Sequence, residues 1–196
     1  MFFTPHTTVA RMKRSLVRSP YFWTILGVAT VVAVAWIGRE SYRPVITGSA
    51  APDFRFATLD GGELALSDFD DRVVLVNVWA TWCGPCLQEM PSMQRLYDEL
   101  ADEGLEILAV SVDAPLGEED VFGRSGGDLQ AFSDRFGLTF PILRNPSGDI
   151  QRLYQTTGVP ESFVIGRDGV IVKKVAGPTE WDAPQNRELI RRLLAS

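Results

Sequence analysis

Both cysteines of the chain lie three positions apart in the segment from Trp79 to Pro91, WATWCGPCLQEMP. The apolar run just before them, Arg72 to Ala80, is rich in β-branched residues and predicts a buried strand. From Pro85 to about Glu103, apolar residues recur at helical spacing, which predicts a helix. The pair is therefore expected where a buried strand passes into a helix. A structural disulfide, half of a metal site and a redox-active dithiol are the three roles to weigh.

A metal site has few ligands to draw on in this sequence. Structural zinc sites use four Cys or His ligands, and the chain offers two cysteines and one histidine, His6. Copper held by the two thiolates remains open as an alternative. A structural disulfide is disfavoured because a bridge that closes so short a loop removes little entropy from the unfolded chain.

The predicted start of the helix favours redox chemistry instead. Cys83 is expected at the helix N-terminus, where unpaired backbone N–H groups and the helix dipole stabilise a thiolate. In Cys-x-x-Cys segments the thiol pKa falls from about 8.5 toward about 7 or lower. The thiolate is the species that attacks disulfides. Cys86, one turn further along, is expected to face the core and to act as the resolving thiol.

An uncharged apolar segment runs from Tyr21 to Gly38 and follows a stretch with four basic residues and no acidic one. As a helix it would be about 27 Å long, close to the thickness of a bilayer. We predict a transmembrane signal anchor at 21–38, a cytoplasmic N-terminus at 1–20, a tether at 39–50 and a domain outside the cytoplasm at 51–196. A signal peptide cleaved near Ala33 to Ala35 is the alternative.

The rest of the pattern predicts an α/β domain. A hairpin turns at Asp60 to Gly62, and a second buried strand follows the cysteine helix at Leu105 to Asp113. A polar, Gly-rich insertion occupies 114–127. A helix is expected at Asp128 to Phe136, with Gly137 as its cap. Shorter helical and strand segments, a second hairpin and a closing helix at 184–195 complete the chain. Crossovers between apolar strands predict a parallel central portion with helices on both faces, and the second hairpin adds antiparallel strands.

The charge of the predicted domain excludes one class of partner. The first 38 residues hold four of the 19 Lys and Arg residues and none of the 25 Asp and Glu residues, so residues 39–196 carry about −10. Binding to nucleic acid needs a basic face. We therefore expect no nucleic-acid partner.

The motif WCGPC, after a buried strand and at the start of a helix, resembles the active site of thioredoxin. The wider pattern resembles the membrane-anchored TlpA/ResA/CcmG (DsbE) group of thiol-disulfide oxidoreductases. The matching stretches are APDFRFATLDG, VVLVNVWATWCGPCLQEMP, GVPESFVI and DGVI. The resemblance implies a thioredoxin fold, a central mixed sheet flanked by helices, with an N-terminal β-hairpin extension. The peroxiredoxin pattern Pro-x-x-x-Thr-x-x-Cys fails, because Thr81 is two residues before Cys83 and Val76 takes the place of the proline.

The resemblance also implies roles for single residues. Cys83 matches the nucleophile of the group, and Cys86 matches its buried partner. Pro160 matches a proline that is held cis beside the cysteines, which leaves the backbone of Val159 free to pair with an extended substrate. Gly84 and Pro85, between the cysteines, are expected to meet the substrate.

Three further positions flank the cysteines. Glu89 matches an active-site glutamate that exchanges a proton with Cys86. Asn77 takes a strand position where ordinary thioredoxins have a buried Asp, so Glu89 is expected to replace that acid. Trp82 is expected as an exposed substrate contact beside the thiols, and Trp79 as part of the core.

The resemblance implies that Cys83 and Cys86 carry out dithiol exchange without a further cofactor. The protein would act as a reductase of protein disulfides in cytochrome c biogenesis or in assembly of oxidase copper sites. The Gly84-Pro85 dipeptide resembles that of reducing thioredoxins. Outside the cytoplasm a reductant needs an electron source, which for this group is a membrane thiol transporter of the CcdA/DsbD kind. The alternative from another class is a copper-binding assembly module that uses both thiolates as ligands.

Overall fold

The structure is a computed structural model that describes residues 20–38 and 44–196. The chain divides into two compact units, Met1–Arg43 and Pro44–Ser196, which are described separately. The predicted basic N-terminus and residues 39–43 of the tether lie outside the described residues.

In the first unit, a single helix, α1, covers Pro20–Gly38 and has neither an acidic residue in its first turn nor a basic one in its last. The helical conformation predicted for this segment is therefore confirmed. Across residues 20–38 and 44–196, no helix combines the length and apolar character that crossing a membrane requires. The transmembrane anchor expected at 21–38 is thus not confirmed.

The second unit alternates strands and helices in the predicted order. The first hairpin consists of β1 (Arg55–Thr58) and β2 (Glu63–Ala65). The elements that follow are β3 (Val73–Trp79), α2 (Gly84–Leu100), β4 (Leu105–Ser111), α3 (Leu129–Phe136), β5 (Ile142–Arg144), α4 (Asp149–Leu153), β6 (Glu161–Ile165), β7 (Ile171–Ala176) and α5 (Pro184–Leu194). Short 3-10 turns at Leu66–Phe69 and Ala101–Glu103 complete the set.

These strands form one seven-stranded mixed sheet in the order β2-β1-β5-β4-β3-β6-β7. The three strands β5, β4 and β3 are parallel, and β6 and β7 are antiparallel additions beside β3. The first hairpin extends the opposite edge by antiparallel pairing of β1 with β5. The predicted thioredoxin fold with an N-terminal hairpin extension is confirmed.

The two central strands explain where the cysteine pair lies. Every residue of β3 and of β4 is buried, as expected for parallel strands covered by helices on both faces. Because β3 is held between β4 and β6, its carboxyl end at Trp79 has a fixed position. The chain leaves the sheet there and turns directly into α2.

Local signals set the limits of the helices. Cys83 is the N-cap of α2, with a proline in the first turn, and Gly104 ends the following 3-10 turn with φ 109°, a conformation that favours glycine. Asp128 caps α3 by accepting a hydrogen bond from the backbone of Ala131, and Gly137 ends that helix in the left-handed region, as predicted.

Candidate active site

The two cysteines form a disulfide at the junction of β3 and α2, with an S–S distance of 2.09 Å. Their surroundings differ. Cys83 is 5% exposed, and Cys86 is completely buried. Of the two residues, only Cys83 is therefore open to a reacting molecule, while the roles predicted for the two thiols stay predictions.

The start of α2 supplies the electrostatic asymmetry of the pair. The backbone N–H of Cys86 donates a hydrogen bond of 3.2 Å to the Cys83 sulfur, and Cys83 is the N-cap residue. Unpaired N–H groups and the helix dipole favour negative charge at this end of a helix. In the reduced protein the same geometry stabilises a thiolate on Cys83. Gly84 and Pro85 are exposed beside it, where the sequence predicted contact with substrate.

Pro160 lies just before β6, whose residue Glu161 pairs with Val78 near the carboxyl end of β3. The peptide bond between Val159 and Pro160 is cis, as predicted. Val159 is half-buried. Within residues 44–196, neither its N–H nor its C=O takes part in a hydrogen bond. This backbone is therefore available to pair with an extended chain, although its role as a substrate platform stays a prediction.

Glu89 lies in the interior, with 2% of its surface exposed. Asn77 of β3 donates a hydrogen bond of 2.7 Å to one of its carboxylate oxygens, and the backbone N–H of Thr179 donates one of 3.2 Å to the other. The Asn77 amide also donates to the hydroxyl of Ser162, two residues after Pro160. One network therefore joins the helix that carries the cysteines to the strand that follows the cis proline.

Burial raises the pKa of Glu89 to about 7, against the opposing effect of the hydrogen bonds from Asn77 and Thr179. A carboxyl group with this pKa exchanges its proton near neutral pH, which suits a general acid–base. A cleft of about 150 Å³, lined by Gln88, Glu89 and residues 178–180, opens at the carboxyl group.

Asn77 is fully buried on β3, at the position where ordinary thioredoxins have a buried Asp. Its amide donates protons to Glu89 and Ser162 but cannot accept one as a base. Glu89 is therefore the titratable member of this network. The proton exchange with Cys86 that the sequence predicted stays a prediction.

Trp82 differs from its prediction in one respect, since it is half-buried and not exposed. The guanidinium of Arg124 lies 3.8 Å from the centre of its ring and covers one face. Trp79 is fully buried against Phe132, as predicted. The sequence carries no signal for the contact with Arg124, because that residue lies far along the chain in an irregular insertion.

A buried carboxylate holds the loop in front of the cysteines, and sequence reasoning missed it. Asp113 is 4% exposed and accepts hydrogen bonds from the backbone N–H of Thr81 at 2.9 Å, from the Thr81 hydroxyl and from Ser111 at 2.7 Å. Its position at the end of the predicted buried strand, Leu105 to Asp113, could have predicted that it lies near the cysteines. Loops after the carboxyl ends of adjacent parallel strands meet at one edge of a sheet.

A second buried carboxylate, Glu161, directly follows the cis proline. It forms an ion pair of 3.0 Å with Lys174 and accepts a hydrogen bond of 2.8 Å from the backbone of Thr157. These contacts tie the segment before Pro160 to β7. In residues 20–38 and 44–196 no cluster of three or more Cys, His, Asp or Glu side chains is arranged to hold a metal ion. The copper-binding alternative, which needs only the two thiolates, stays untested.

Known proteins share both the sequence and the fold. The family model described as the AhpC/TSA family matches residues 47–174. The thiol-disulfide oxidoreductase ResA of Geobacillus thermodenitrificans is 38% identical over 148 residues, which is 75% of this chain and 79% of that protein. The thioredoxin-like protein YneN of Bacillus subtilis is 34% identical over 154 residues, 75% of this chain and 85% of the relative.

A solved structure agrees with these relatives. The crystal structure from Chlorobium tepidum that carries the name thiol:disulfide interchange protein DsbE is 30% identical and has a TM-score of 0.62. The match covers 77% of this chain and 96% of that one.

Proposed function

Since the chain belongs to the AhpC/TSA family and is a thiol-disulfide oxidoreductase of the ResA- and DsbE-like group, we propose that it reduces disulfides of client proteins outside the cytoplasm. The observation that carries the chemistry is the unequal cysteine pair at the start of α2. Cys83 lies at the helix end and is slightly exposed, and Cys86 is completely buried.

In the first step, the Cys83 thiolate attacks one sulfur of the client disulfide. An S–S bond forms between Cys83 and the client, the client disulfide breaks, and its second sulfur leaves as a thiolate that takes up a proton. The free N–H and C=O of Val159 support this step, because an extended client segment that pairs there is held beside Cys83.

In the second step, Cys86 loses its proton, and the resulting thiolate attacks the Cys83 sulfur of the mixed disulfide. The Cys83–Cys86 disulfide forms and the client leaves as a dithiol, so the client is reduced by two electrons and the protein is oxidised. Glu89 lies one turn after Cys86 on α2, and its pKa of about 7 suits the transfer of this proton.

The direction of electron flow rests on the Gly84-Pro85 dipeptide, which resembles that of reducing thioredoxins. We expect a reduction potential nearer to about −270 mV, the value of thioredoxin, than to about −120 mV, the value of the oxidant DsbA. Equilibrating the purified domain in dithiothreitol redox buffers, with tryptophan fluorescence as the readout, measures this potential because Trp82 lies directly beside the pair.

A Cys86→Ala variant is the control for that titration. It cannot form the internal disulfide, so its fluorescence should lack the transition that the wild type shows. A potential close to that of DsbA would show that the protein oxidises clients instead of reducing them.

We further propose that residues 51–196 work outside the cytoplasm, held at the membrane by residues 21–38. The support comes from the sequence: the uncharged run from Tyr21 to Gly38 follows the four basic residues of the leader. A reporter fused after Ser196 that is active only outside the cytoplasm should be active, and the same fusion without residues 1–38 should be inactive. Activity of a reporter that works only in the cytoplasm would contradict this localisation.

The clients proposed are apocytochrome c or copper-site proteins of oxidase assembly, and the proposed electron donor is a membrane thiol transporter of the CcdA/DsbD kind. Both partners follow from the resemblance to the group. When Cys86 is replaced, the client should stay attached to Cys83 as a mixed disulfide. Identifying the attached protein shows which of the two client classes is reduced.

A further inference from the structure

The insertion between β4 and α3, residues 114–127, is an ordered loop (the insertion loop). Asp120 accepts hydrogen bonds from the backbone N–H groups of Phe122 at 2.8 Å and of Arg124 at 3.0 Å. The N–H of Gly126 donates to the carbonyl of Glu118 at 2.9 Å. These bonds fix the turn, so its side chains point in defined directions without help from a partner.

The base of the insertion loop is packed onto the active site. A Cβ atom at Gly127 would lie 2.2 Å from the Thr81 hydroxyl oxygen, a distance that real Cβ atoms do not show. The N–H of Gly127 also lies 3.4 Å from the carboxylate of Asp113, which holds Thr81. Only a glycine allows this approach, and it joins the loop to the residue two positions before Cys83.

Arg124 provides a second attachment, further out along the loop. Its guanidinium stacks 3.8 Å from the ring centre of Trp82 and lies 4.9 Å from that of Phe122. Asp120 fixes its orientation through a hydrogen bond of 2.6 Å. Trp82, Arg124 and Phe122 therefore form a continuous stack that leads from the neighbour of Cys83 to the end of the loop.

The end of this stack is apolar and exposed. Val121 is 93% exposed and Phe122 is 77% exposed, and we call these two residues the loop tip. Burying these large apolar side chains against a partner would be favourable, because it would remove apolar surface from water. Exposed apolar groups beside a reactive centre mark contact sites for partners.

We propose that the loop tip and Trp82 bind the client polypeptide itself, at an apolar side chain that lies a few residues from the client's disulfide cysteine. This inference rests on the proposed function, which brings a client disulfide to the Cys83 sulfur. The occupant is a polypeptide because the stack is continuous with that site, and extended chain covers about 3.3 Å per residue. A small disulfide that reacts at Cys83 does not reach the loop tip.

The charge of the insertion loop restricts the client further. Glu118 and Glu119 are exposed on the loop. Among the described residues neither forms an ion pair, whereas Asp120 pairs with Arg124. Like charges placed opposite each other at an interface oppose binding. The client segment that fits is therefore apolar with a neutral or basic flank.

The test compares rates of thiol-disulfide exchange between the reduced domain and synthetic peptides that contain one Cys-x-x-Cys disulfide. The first peptide has Phe and Lys close to its first cysteine, the second has Ser in place of the Phe, and the third has Glu in place of the Lys. Bis(2-hydroxyethyl) disulfide serves as the small substrate. The variants are Phe122→Ser and the matched control Ile46→Ser, a residue 55% exposed elsewhere on the domain.

We expect the wild type to react about tenfold faster with the Phe peptide than with the Ser peptide, since contact with one apolar side chain contributes that much to binding. The Glu peptide should react more slowly than the Phe peptide. Phe122→Ser should remove the preference for Phe, Ile46→Ser should keep it, and all three proteins should react equally with the small disulfide.

Equal rates for the Phe and Ser peptides in the wild type would overturn the inference, as would a preference that survives Phe122→Ser. If Phe122→Ser slowed the reaction with the small disulfide as much as the reaction with the Phe peptide, Phe122 would act on the thiols and not on the client. The reduction potential decides the proposed direction of electron flow separately, because a preference between peptides appears whichever way electrons move.

Discussion

Replacing Cys83 with Ser is expected to lower the rate of disulfide exchange by on the order of 1,000-fold or more, because the reaction loses its attacking thiolate. Replacing Cys86 with Ser should have a different effect. Cys83 still attacks, but no second thiol resolves the mixed disulfide, so the client stays covalently attached. The difference follows from the exposure of the two residues, since Cys83 is slightly exposed and Cys86 is completely buried.

The measurement is a time course with a disulfide-bonded peptide, followed by mass spectrometry of the intact protein. Cys86→Ser should gain the mass of one peptide that is released by dithiothreitol, and Cys83→Ser should gain none. In the reduced wild type, limiting iodoacetamide near neutral pH should label Cys83 first. Faster labelling of Cys86, or stable capture of peptide by Cys83→Ser, would reverse the assignment of nucleophile and resolving thiol.

Replacing Glu89 with Gln should make the domain more stable above neutral pH, relative to the wild type. Burial raises the pKa of this carboxyl group from 4.5 to about 7 in the folded state. As the pH rises from 4.5 to about 7, the unfolded chain releases the proton while the folded protein keeps it, so the wild type loses stability across this window. Above pH 7 the loss is complete and amounts to about 3 kcal/mol. The amide side chain of the Glu89→Gln variant does not ionise, so the variant escapes this loss.

Chemical denaturation of the oxidised proteins between pH 4 and pH 9 measures this difference, since the disulfide keeps both cysteines from titrating. The free energy of unfolding of Glu89→Gln minus that of the wild type should rise through the window and then level off. Glu103→Gln, which removes an exposed carboxylate, is the control and should show no such rise. A flat difference for Glu89→Gln would mean that Glu89 is ionised in the folded state throughout the window.

The same variant tests the catalytic role of the carboxyl group. If Glu89 takes the proton of Cys86, the release step of Glu89→Gln should lose its dependence on pH near 7. An unchanged pH profile would limit Glu89 to a structural part in the network with Asn77.

The sequence alone determined the elements that depend on near neighbours. Strand β3, helix α2 and the unequal cysteines followed from a β-branched run, helical spacing and a helix start within one segment. The cap of α3 at Gly137 followed in the same way. These features depend on residues within a few positions of one another, so periodicity and capping chemistry are sufficient to predict them.

The role of the motif around Pro160 came from resemblance and not from local physics, because few X–Pro bonds are cis. The structure confirmed the cis bond and showed the unpaired backbone of Val159 beside it. The apolar segment 21–38 was predicted as a helix and is one, while its placement in a membrane stays a prediction.

Only the tertiary structure decided the electrostatics and the surface of the site. The pKa of Glu89 is raised by its burial in the folded domain, and a hydrogen bond from Thr179, 90 positions further along the chain, opposes that rise. Trp82 is covered by Arg124 of the insertion loop, and Thr81 is held by Asp113, which follows the neighbouring strand β4. Desolvation and stacking arise between segments that the fold brings together, so no local pattern in the sequence records them.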